Sequence, residues 1–136
     1  MGNRVRTSRP RSVNWLAVGA GAALGAWLRW GLSAWLNARF LHLPFGTLLA
    51  NLLGGYLIGL AVGFFQQYPL LPSAWRLFII TGFLGGLTTF SSFSSESMML
   101  LHRGEYGWAL LHIGLHLLGS IALCMAGYAS WRAMAG

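Results

Sequence analysis

Residues able to meet an ion are few in this chain, and they fall at regular spacing. The densest group is TGFLGGLTTFSSFSSE, Thr81 to Glu96, where nine of the fourteen residues from Gly82 to Ser95 are Gly, Ser or Thr. Gly82, Gly85 and Gly86 lie close enough together to make a straight helix costly. Hydroxyls that bond nearby backbone offer the chain another conformation. Phe83, Phe90 and Phe93 punctuate the stretch. Upstream, Thr47, Asn51, Gly55, Gly59 and Gly63 recur every fourth residue and so share one helix face. A carboxamide on that face belongs inside a bundle. Asn51 either bonds a neighbouring helix, worth about 1 kcal/mol, or offers its NH2 group to a passing anion. Downstream, His112, His116, Ser120 and Cys124 form a second such stripe. The histidine pair has metal-binding spacing, but two imidazoles alone are weak and no carboxylate or thiolate sits at matching spacing. A polar stripe facing the bundle is the better reading.

Two charged residues need their own account. Arg29 lies between Leu28 and Trp30, seven residues from the end of an apolar segment. Its long stem can snorkel to headgroups, or its guanidinium can face an anion path; both readings stand. Glu96 is expected in the first turn after an interruption near Gly82–Ser95. A carboxylate there complements the dipole of the half-helix that follows.

The elements that must position these residues read as membrane spans. Hydrophobic residues make up 56% and charged residues 8% of the 136 residues, against roughly 25% charged in a soluble domain. Mean hydropathy is +0.60. Residues 1–12 are a basic tail carrying Arg4, Arg6, Arg9 and Arg11. Residues 13–136 form one transmembrane domain of four segments: Val13–Leu36, Gly46–Phe65, a third from Trp75 to about Leu101, and Trp108 to about Trp131. Gly21 and Gly25 give the first a close-packing G-x-x-x-G face. Irregular backbone at membrane depth survives only where protein buries it or where it lines a wet path. The third segment therefore reads as a helix broken near its middle, with an ion or substrate site at the break.

Charge placement bears on assembly. The net charge of +7 comes from nine arginines, no lysine and two glutamates. Only the tail clusters positive charge, as a flank that orients a membrane helix does, so nucleic acid is not an expected partner. Outside the tail, Arg76 and Arg132 on one side face Arg39 and Arg103 on the other. That balance suits insertion both ways up and an antiparallel, dual-topology homodimer. Cys124 is the single cysteine, which excludes an intrachain disulfide.

Four pieces of the chain resemble the Fluc (CrcB-type) fluoride channel family: GAWLRW with Arg29, GTLLANLLGGYLIG with Asn51, TGFLGGLTTFSSFSSE, and the last stripe ending LLGS at Ser120. The third piece is highly specific. The resemblance implies a fluoride-selective channel that passively exports fluoride across the bacterial inner membrane. It implies a dual-topology homodimer in lipid with two pores. It further implies a structural sodium ion held by backbone carbonyls of Gly85 and Thr88 from each subunit. Phe90 and Phe93 would face the pores, with Asn51, Thr47, His116, Ser120 and Arg29 along the anion path. His112 departs from the commonest family pattern, which has a tyrosine or hydroxyl residue there. The alternative is a small multidrug-type dual-topology exporter, which fits in length and charge balance. The first segment, however, carries Arg29 where such a proton-coupled pump needs a glutamate. An enzyme is not expected, because no Ser/His/Asp constellation or metal cluster has workable spacing.

Overall fold

The structure, a computed structural model, describes residues 11–40 and 42–136, and every regular element among them is helical. Helix α1 is Arg11–Leu36 and α2 is Phe45–Gln67. Helix α3 covers residues 73–87, α4 is Phe90–His102, and α5 is Tyr106–Ala135. The tail expected over residues 1–12 lies largely outside the described residues. Its last two positions, Arg11 and Ser12, are helical and belong to α1.

Among the described residues, three helical stretches are long and apolar enough to cross a membrane: Phe45–Gln67, Ser73–His102 and Tyr106–Ala135. Helix α1 matches them in length, but its glycines, tryptophans and Arg29 hold its hydropathy below theirs.

Small residues set the packing. A Cβ on Gly82 would lie 2.7 Å from the Val18 carbonyl oxygen, and one on Gly86 would run into that of Ala22. Gly21 and Gly25 of α1 press in turn on the backbone of Phe78 and Phe83. Helix α2 meets α5 the same way, through Gly55 on Ser120, Gly59 on Cys124 and Gly63 on Trp131. Residue numbers rise together along both contacts, so α1 runs parallel to α3 and α2 parallel to α5. Backbones this close gain dispersion contacts that larger side chains would block. Ala50, Leu84 and Leu87 form the buried centre. Trp15, Trp30, Leu110 and Leu118 are exposed, so much of the outer surface is apolar.

The chain leaves the helix at Thr88 (φ −84°, ψ 151°) and Thr89 (φ −148°, ψ 118°). The glycines expected to cause the interruption do not. Gly85 has ordinary helical angles (φ −64°, ψ −35°), and Gly104 in the loop before α5 is the positive-φ residue among those described. Gly82 and Gly86 serve close approach to α1 instead. Residues 77–84 and 115–119 are wound as wide π turns, which often accompany functional sites.

Candidate ion site at the helix interruption

Two extended residues inside an apolar bundle leave backbone groups that need partners. Asn51 supplies them. Its Oδ1 accepts from Thr89 N–H at 2.7 Å, and its Nδ2 donates to the Thr89 carbonyl at 2.9 Å. The second Nδ2 hydrogen points to His116 Nδ1 at 3.0 Å. Both amide hydrogens are thus taken by protein groups, so the carboxamide clamps the interruption and the helix-glue reading of Asn51 describes this geometry. His116 Nδ1 is then the acceptor, and the neutral ring carries its hydrogen on Nε2. That Nε2 is buried with no protein partner, in a side chain 4% exposed.

The clamp also frees carbonyls. The N–H that would close the helix onto Gly85 O is that of Thr89, now given to Asn51. The one that would reach Thr88 O is that of Ser92, which instead donates to the Thr89 hydroxyl at 3.1 Å and caps α4. Gly86 O receives Arg29 Nε at 3.0 Å. Arg29 therefore satisfies a carbonyl at the C-terminal end of α3.

A cleft of about 420 Å³ opens at this point. It brings together Asn51, Phe90, Phe93, His116 and Ser120 with Gly85 and Thr88. Arg29 and Thr47 do not line it. The Phe90 and Phe93 rings lie 5.3 Å apart, and Phe93 sits 4.9 Å from His116 and 5.6 Å from His112. The N-terminus of α4 faces the cleft, where unpaired N–H groups favour an anion.

Beyond Phe93 lies a group that spacing within one helix did not reveal. Glu96 sits in the second turn of α4, away from its N-terminal dipole, so the expected first-turn role is corrected. Its Oε1 accepts from the buried Thr47 hydroxyl at 2.6 Å. Its Oε2 stands 3.5 Å from His112 Nε2. Glu96, His112 and His116 each bring one metal-ligating atom within 4.8 Å of the other two. The missing carboxylate of the histidine pair thus arrives from a different helix. Glu96 also lines a second cavity, of about 260 Å³, beside Asn37, His42 and Arg103. Counting helical turns from Phe90 would have put Phe93 and Glu96 on one face; that was the available signal.

Residues 16–128 match the family described as CrcB-like protein, Camphor Resistance (CrcB). Among similar proteins is the fluoride-specific ion channel FluC of Cupriavidus pinatubonensis, 62% identical over 90% of this chain and 98% of the relative. Proteins of the same name from Cupriavidus metallidurans and Cupriavidus taiwanensis are 58% and 59% identical over the same shares.

Proposed function

Because the chain belongs to the CrcB-like family, we propose that it is a fluoride-selective channel that passively exports fluoride across the bacterial inner membrane. Its relatives are named as ion channels, not enzymes. Three helices able to cross a bilayer, together with the family, make it a multi-pass membrane protein. The observation that carries the proposal is the buried, unpartnered His116 Nε2 beside Phe93. Fluoride is small and strongly hydrated, so a pore must return hydrogen bonds for lost water. A fixed N–H donor, the hydroxyl of Ser120 and the positive edges of Phe90 and Phe93 do this. Asn51 contributes by holding His116 in the donating tautomer.

The same reading takes α1 as a fourth span and Ser73–His102 as one span interrupted at Thr88 and Thr89. It takes the working unit as an antiparallel homodimer. Phe90 is 76% exposed in the single chain and Gly85 is exposed beside it, on a face a second copy would cover. A sodium ion fits that face. Gly85 O and Thr88 O have both lost their helical N–H donors, both residues line one cleft, and carbonyl oxygens suit a hard cation. Bound there, sodium would supply positive charge to the carbonyl end of α3. The test is anion efflux from liposomes that contain only this protein, with fluoride compared against chloride. Fluoride efflux with chloride retained is expected, and equal release of both, or of neither, would overturn the proposal.

A further inference from the structure

Among the described residues, three buried atoms without hydrogen-bond partners belong to one cluster of side chains: Glu96 Oε2, His112 Nε2 and His116 Nε2. Each is a ligand atom for a borderline-soft divalent metal. The two histidines are 1% and 4% exposed, so neither finds water as a substitute. The spacing is close to what a metal needs. Ligands about 2.0–2.1 Å from a tetrahedral zinc stand about 3.3 Å apart, and Glu96 Oε2 lies 3.5 Å from His112 Nε2. One ligand atom from each of the three residues lies within 4.8 Å of the other two, so closure asks for a shift of up to about 1.5 Å. The Thr47 hydroxyl already orients the carboxylate through its other oxygen, as an outer-shell partner does in metal sites.

We propose that Glu96, His112 and His116 form a site for a divalent transition metal such as Zn2+, with a fourth position left open. The cavity that Glu96 lines approaches the site from the carboxylate side. Binding through Nε2 requires the other neutral tautomer of His116: its hydrogen moves by way of solvent from Nε2 to Nδ1, which then no longer accepts from Asn51, so that contact is lost. That loss makes this a site for added metal rather than for a resident ion. A cation fixed beside Phe93 would also obstruct an anion path there; this consequence alone rests on the channel reading.

The test uses the purified, untagged, chelator-stripped protein in detergent, titrated with Co2+ and then Zn2+. One Co2+ per chain is expected, with the intense visible bands of a four-coordinate ion, displaced by Zn2+. His112→Gln and Glu96→Gln should each weaken binding by about tenfold or more while eluting as the parent does in size-exclusion chromatography. A weak six-coordinate Co2+ spectrum in the parent, which needs no variant to interpret, would overturn the site. So would saturable binding that both variants leave unchanged. Zn2+ inhibition of fluoride efflux is a separate measurement. Metal binding without any fluoride efflux would leave the site standing and remove the channel reading; efflux without binding would do the reverse.

Discussion

Asn51→Asp is the most informative single change, because the substitution keeps the side chain's shape while replacing its NH2 donors with a carboxylate oxygen. In the parent, Oδ1 accepts from Thr89 N–H while Nδ2 donates to Thr89 O at 2.9 Å and to His116 Nδ1 at 3.0 Å. Aspartate keeps the first bond and loses both others. Each buried acceptor left unpaired costs about 1–3 kcal/mol, so the loss is about 2–6 kcal/mol in all. An aspartate oxygen also then faces the Thr89 carbonyl oxygen, which adds to the loss. Against a typical total of about 5–15 kcal/mol, the chain should fold but resist denaturation poorly. His116 loses the contact that holds its hydrogen on Nε2, so fluoride efflux should fall to background. The assays are SDS titration in mixed micelles and efflux from liposomes. Stability within about 1 kcal/mol of the parent, below the smallest cost of losing both bonds, together with full efflux, would refute the clamp. Parent-like stability with lost efflux would instead return the carboxamide to direct contact with the anion.

Other outcomes follow from the same contacts. Replacing Phe90 or Phe93 with Ile keeps apolar bulk but deletes the ring quadrupole, so efflux should drop while the homodimer persists; normal conduction would return both rings to packing. Gly85→Ala should leave the fold of the single chain unchanged, since its Cβ would meet only Ile80 O at 3.7 Å. Any loss should therefore be read in dimer stability and sodium dependence, and monomer unfolding would contradict this. Gly59→Val should prevent accumulation of folded protein, because its side chain runs into the Cys124 carbonyl and the Tyr128 backbone. A cost of about 3 kcal/mol or more is expected where rigid backbone is the obstacle, read as poor recovery of monodisperse protein.

Apolar run lengths marked the helical segments, and periodicity showed which face of each carries its small and polar residues. The four-residue stripes of α2 and α5 could be read before any coordinates, because a helix puts every fourth residue on one side. Those stripes run side by side, Asn51 against His116, Gly55 against Ser120 and Gly59 against Cys124. The stretch around Thr81–Glu96 was likewise marked as irregular by composition. What composition could not decide was where the helix stops. Glycine tolerates a break but does not require one; Gly82 and Gly86 pack against α1 and Gly85 between them stays helical, while Asn51 supplies the partners that let Thr89 extend. Nor could spacing within α5 reveal that Glu96 completes the histidine pair, since the carboxylate comes from another helix. Local sequence sets the period of each helix; which groups lose their helical partners, and what replaces them, depends on contacts between residues far apart in the chain.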